Sequence, residues 1–192
     1  TIYMKYQHSI SDGRGFEEFI RCILFQYLKN CGCPVENDGT VRAMDTRWTP
    51  EESADGYEQL ADREFSPEGI WKKPEAVHAP EVQWGADGSE VVTEVTFPFS
   101  QLHDYAKSIG VSPLSVLAPL MMKAFDDKFG GTDKPVIAEI PVDLRPLLPT
   151  LTTRYFICFI DLPYFPEYRD LPNDEVFRRT KAFLKDQMQR EQ

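Results

Sequence analysis

The chain has 192 residues, 42% of them hydrophobic and 27% charged, which is enough apolar surface for one domain or two small lobes. Its net charge of −10 speaks against nucleic acid, whose recognition begins from basic surface, and against an anionic membrane. No apolar run reaches the length of a membrane span.

The first residues alternate, with Ile2, Met4 and Tyr6 on one side and Tyr3, Lys5 and Gln7 on the other. That period predicts a strand with a buried face. Residues 8–15 carry two glycines and read as a loop. Phe16, Phe19, Ile20, Ile23, Leu24, Tyr27 and Leu28 then recur at helical spacing. They predict a helix that lays this face on a sheet, holds Glu17, Glu18 and Arg21 outward, and stops at Gly32 and Pro34. The cysteines are Cys22, Cys31, Cys33 and Cys158; Cys31-x-Cys33 is not zinc-ribbon spacing. All four are expected as reduced core thiols in a cytoplasmic protein, with no metal site.

Residues 35–82 hold four prolines, Pro50, Pro67, Pro74 and Pro80, and little apolar period. Such a long excursion reads as a functional loop or a linker. Trp48, Trp71 and Trp84 are expected to pin it to the core, and His78 reads as a surface residue. Residues 90–97 alternate and predict a strand. Ser100 is expected to cap a short helix carrying Leu102, Tyr105, Ala106 and Ile109, closed by Gly110, with His103 on its solvated side.

Ser112-Pro113 opens the next helix, which runs to Phe129. Its nearly all-round apolarity predicts deep burial, and Pro119 predicts a kink. Residues 135–142 read as a buried strand, left through Asp143-Leu144-Arg145-Pro146. Residues 155–162 read as a strand covered on both faces. Asn173 is expected to cap the last helix, whose inner stripe is Val176, Phe177, Thr180, Phe183, Leu184 and Met188.

One stretch suggests chemistry: Gln7-His8-Ser9-Ile10-Ser11-Asp12-Gly13, where an extended run gives way to a helical one. A His followed four residues later by Asp-Gly suits an imidazole held rigidly in a cleft. The plainer reading is a His ending a strand and an Asp-Gly turn entering a helix.

This His-x-x-x-Asp-Gly motif resembles that of the CoA-dependent acyltransferase superfamily, which includes chloramphenicol acetyltransferase, condensation domains and alcohol acetyltransferases. The order of parts is similar too: strand 90–97, the short helix, Gly110-Val111-Ser112 leading into a long helix, and a strand running out to Arg145. The resemblance implies an α/β fold of chloramphenicol acetyltransferase-like mixed sheets flanked by helices. It implies parts of two lobes, with residues 1–88 ending the N-terminal lobe and residues 89–192 starting the C-terminal lobe. The chain is expected to be a fragment of a longer one and inactive alone. Residues 141–146 and 153–156 look most like the alcohol acetyltransferase branch. Condensation domains usually have two adjacent histidines; here Gln7 stands at the first position and His8 matches the catalytic second.

What the resemblance implies is transfer of an acyl group from a CoA or carrier-protein thioester to an alcohol or amine. His8 would be the general base and acyl-CoA a co-substrate, with no bound cofactor. Asp12 has two readings: it orients the imidazole, or, as in the resembling family, it pairs with an Arg and holds the loop's shape. Arg145 is the favoured partner and Arg154 the second. Gly13 would supply a backbone angle or close approach that a Cβ forbids. Two other readings stand beside this one: a non-catalytic binding or docking module with the same fold, and an unrelated α/β domain with a chance motif. A structure with His8 far from any cleft, or Asp12 far from every Arg, would favour the last.

Overall fold

The computed structural model describes residues 2–42, 45–62, 64, 71–79 and 94–189. The fold is mixed α/β, with five α-helices and one two-stranded antiparallel sheet among the described residues. The chain divides into two compact units: residues 1–65 with 141–159, and residues 66–140 with 160–192. The expected lobe boundary at residues 88–89 lies outside the described residues.

In the first unit, α1 (Gly13–Asn30) begins three residues before its apolar period does, because Asp12 caps it. Asp12 is extended, at φ −82, and its side chain accepts the Gly15 N–H. The helix ends as a Schellman turn. Cys33 N–H donates to the Leu28 carbonyl and Gly32 N–H to that of Lys29, each at 3.0 Å, with Gly32 at φ +76.

Burial departs from expectation here. Phe19, Ile23, Tyr27 and Leu28 are exposed, and Gly15 is the buried residue of this helix. The helix was expected to lie on a sheet; residues 2–7 pair with no strand among the described residues, so that surface is not built. Cys31 and Cys33 are likewise exposed rather than core thiols, because they follow the helix out to its solvated end.

The poorly periodic stretch contains short helices. Thr49 caps α2 (Pro50–Ser53) through a capping box: Glu52 N–H donates to Thr49 Oγ1, and Thr49 N–H donates to the Glu52 carboxylate at 2.6 Å. A 3-10 turn follows over Gly56–Leu60. Trp48 is not pinned in a core. It is half exposed and lies under the Arg42 guanidinium, 4.3 Å from the ring centre, while Arg42 also pairs with Glu52.

In the second unit, α3 (Phe99–Ser108) is entered from Pro98, two residues before the expected cap at Ser100, without a side-chain cap. It closes on Gly110, at φ +73. Ser112 caps α4 (Pro113–Phe129) by accepting the Ser115 N–H at 3.1 Å. Helical pairing continues through Pro119. Burial of α4 is one-sided: Val116, Ala118, Pro119 and Met122 are inside, whereas Leu114, Leu120 and Met121 are exposed. α5 (Asn173–Gln189) packs on α4, and Ala106, Val111, Val116 and Phe177 form the cluster between the helices. Trp71 stands edge-on to Phe183, 5.5 Å between ring centres.

β1 (Val136–Asp143) pairs with β2 (Ile157–Tyr164). β2 begins two residues later than its alternation suggests because the Phe156 N–H is taken by a carboxylate instead of the ladder. One of its faces is buried through Ile160, Leu162 and Tyr164, while Phe159 on the other is 52% exposed, so the sheet is not covered on both sides. Residues 94–97 form no strand; Val95 and Phe97 are exposed, and residues 90–93 and Trp84 lie outside the described residues. His78 and His103 are both on the surface.

Candidate functional site

The motif residues gather in the first unit around Asp12. Its side chain is 2% exposed and accepts three hydrogen bonds. Gly15 N–H donates to Oδ1 at 2.8 Å. Phe156 N–H donates to Oδ2 at 2.7 Å, and Arg145 Nη1 donates to the same oxygen at 3.0 Å. One carboxylate thus caps a helix and ties it to two segments more than 130 residues away in sequence. Burial alone would raise the Asp12 carboxyl. The two backbone N–H groups and the guanidinium outweigh it and hold the group below the usual carboxylate range.

Arg145 extends this hub. Its Nε donates to the Thr152 carbonyl at 2.9 Å, Nη2 to the Arg154 carbonyl at 2.7 Å, and Nη1 also to Asp143 at 2.8 Å. A planar fork with five donors suits one residue that closes a loop over its own carbonyls. Arg154 does not reach Asp12; it contributes its carbonyl to Arg145 instead. Asp12 is therefore near an arginine, and that arginine is Arg145.

Gly13 does not have the role expected of it. No atom lies within 4 Å of where its Cβ would stand, and its φ is not positive. The close approach belongs to Gly15. A Cβ there would collide with the Thr153 carbonyl oxygen and Ser11 Oγ, and would lie 2.7 Å from the Thr153 carbonyl carbon. Ser11 Oγ donates to that same carbonyl at 2.5 Å.

The segment receiving these contacts is itself fixed by α2. Thr153 N–H donates to the Glu52 carbonyl at 3.0 Å, and Thr152 Oγ1 to that of Ala54 at 2.6 Å. Below it, Phe156 is fully buried against Gly56, whose Cβ would meet the ring at 2.7 Å. Tyr57 donates to the Ile157 carbonyl at 2.6 Å and accepts its N–H at 3.1 Å, and burial pushes its phenol up, which keeps this donor protonated.

His8 stands apart from this network. It is exposed, in the turn that ends with Ile10 N–H donating to the Gln7 carbonyl at 3.1 Å. Its ring lies between Tyr6 and Tyr155, with centres at 5.8 and 5.9 Å. It has no hydrogen-bond partner among the described residues. The reason is local: Ser11 and Asp12 point inward to Thr153, Arg145 and Phe156, and the turn before them is left on the solvent side.

Ser11, Gly15, Thr153, Tyr57 and Phe156 were given no role from the sequence, although Ser11 lies in the motif stretch and Thr153 and Phe156 in a segment that carries the resemblance. The capping box at Thr49 and Glu52 was a readable signal for the segment that supports them; the others are long-range contacts with no local signature. Among the described residues, no group of three or more His, Cys, Asp or Glu side chains is placed to hold a metal ion. Comparison with family models, curated proteins and solved structures found no match.

Proposed function

We propose that this chain is part of an acyltransferase of the two-lobed, chloramphenicol acetyltransferase-like kind. It moves an acyl group from a CoA or carrier-protein thioester to an alcohol or amine. His8 takes the acceptor's proton during attack on the thioester and returns it to the leaving thiolate. The observation that supports this reading is the division of labour within the motif. Both Asp12 oxygens are engaged by Gly15, Phe156 and Arg145, and neither bonds His8. Asp12 then sets the shape of the loop, and His8 remains free to meet a substrate. Four free thiols are in keeping with a cytoplasmic location.

The non-catalytic alternative draws on a different observation. His8 is exposed and its imidazole has no hydrogen-bond partner among the described residues, so the same loop would serve as a recognition surface for a partner.

Thiol release separates the two. It would be measured with a panel of acyl-CoAs and small alcohols and amines, using the chain as it occurs in the cell and its His8→Ala variant. Turnover that falls about 10²–10⁴-fold in the variant, at an unchanged melting temperature, supports the general base. Turnover that the variant retains in full removes His8 from the mechanism. Absence of turnover with every donor favours the docking module.

A further inference from the structure

We propose that Cys31 and Cys33 form a dithiol site that small disulfides of the glutathione class oxidise to an intramolecular disulfide. The two residues flank Gly32 at the end of α1, and both are exposed. The turn that ends the helix sets their spacing. Gly32 is left-handed, at φ +76, and is held there by the N–H groups of Gly32 and Cys33 donating back to Lys29 and Leu28. A left-handed residue mirrors a right-handed helical one, so helix dimensions put the Cα atoms on either side of it about 5.4 Å apart. Disulfides commonly span roughly 4.4–6.8 Å between Cα atoms. Bringing the two sulfurs together requires the backbone between them to rotate, and Gly32, with no Cβ and open space where one would stand, is the residue that permits it.

The surroundings favour this pair over the other two cysteines. Tyr27 lies one turn back from Cys31, and the sulfur beside it pushes its phenol up. Cys22 and Cys158 are partly buried, and burial pushes the Cys158 thiol up, away from the reactive thiolate.

The exchange runs in two steps. One cysteine thiolate attacks a sulfur of the small disulfide, forming a mixed disulfide and expelling one small thiolate. The second cysteine thiolate attacks the protein sulfur of that mixed disulfide, closing the Cys31–Cys33 bond and expelling the other small thiolate. The protein loses two electrons and two protons; the small disulfide gains the electrons and leaves as two thiols.

The test is equilibration of the protein in glutathione buffers of varied ratio and total concentration, followed by acid quench and peptide mass mapping. The expected product is a peptide in which Cys31 is joined to Cys33, lighter by two hydrogens. The ratio of disulfide to dithiol should rise in proportion to oxidised glutathione divided by the square of reduced glutathione. Cys31→Ser and Cys33→Ser should each accumulate a stable glutathione adduct on the remaining cysteine, an adduct the parent does not retain. Glutathione retained on both cysteines of the parent, disulfide-linked dimers as the main product, or no reaction would each overturn the proposal.

Discussion

Each unit contains a buried aspartate paired with an arginine, and the two pairs do different work. In the second unit Arg169 grips Asp126 with two donors, at 2.7 and 2.8 Å, and adds one bond to the Thr132 carbonyl at 3.0 Å. That pair closes the turn after α4, where Gly130 packs against the Asp126 carboxylate. Side-chain bonding from Arg169 is what mainly holds the Asp126 carboxyl below its usual range. Asp12 makes a single bond to its arginine, and two of its three donors are backbone N–H groups from separate segments. Asp126 is a local clasp; Asp12 is a junction. A clasp can be replaced by its neighbours, whereas losing a junction disconnects three pieces of chain.

The largest expected effect follows from that difference. Asp12→Ala leaves two buried N–H groups without their acceptor and takes from Arg145, whose side chain is 12% exposed, one of its two carboxylate partners, and should cost about 3–5 kcal/mol in denaturant unfolding. Asp126→Ala leaves an arginine that is 31% exposed and reaches water, so about 1–3 kcal/mol is expected. Equal losses would erase the distinction between junction and clasp.

Acid titration tests both sides of the comparison. Both carboxyls lie below their ordinary values in the folded chain. Their stabilisation is therefore complete above the ordinary carboxylate range and is lost as pH falls through the lowered folded values. Asp12→Asn and Asp126→Asn should each flatten the acid limb of the stability–pH curve. An acid limb that either variant leaves unchanged would remove that carboxyl from the linkage.

Glycine substitution probes the close approach at the junction. Gly15→Ala forces a Cβ into the Thr153 carbonyl and should destabilise by about 1–3 kcal/mol. Gly13→Ala meets open space at a compatible φ, and should be neutral or stabilise by about 0.4–1 kcal/mol. Melting temperatures of the two variants decide whether the constraint sits at residue 15 or residue 13.

The sequence was legible where one residue type answers one local need. Ser112 before Pro113, and Gly32 and Gly110 after their helices, fall where capping chemistry puts them. The capping box at Thr49 was equally readable but was hidden by the weak apolar period around it. Apolar alternation misled at residues 2–7 and 94–97, because a period of two predicts which residues share a face and says nothing about whether a partner strand exists. Gly15 against Thr153 is a contact between backbones 138 residues apart (153 − 15), and no local pattern encodes it. Asp12 and Arg145 meet across a similar distance; it was the resemblance, not the pattern, that put them side by side.

Asp12 acts through Arg145 on the shape of the loop that carries His8. A double-mutant cycle on folding stability tests it most directly, using Asp12→Ala, Arg145→Ala and the double variant. The junction predicts that the second substitution costs far less once the first is made, with a coupling of about 1–3 kcal/mol. Strict additivity would mean that the two side chains act independently, and would contradict it.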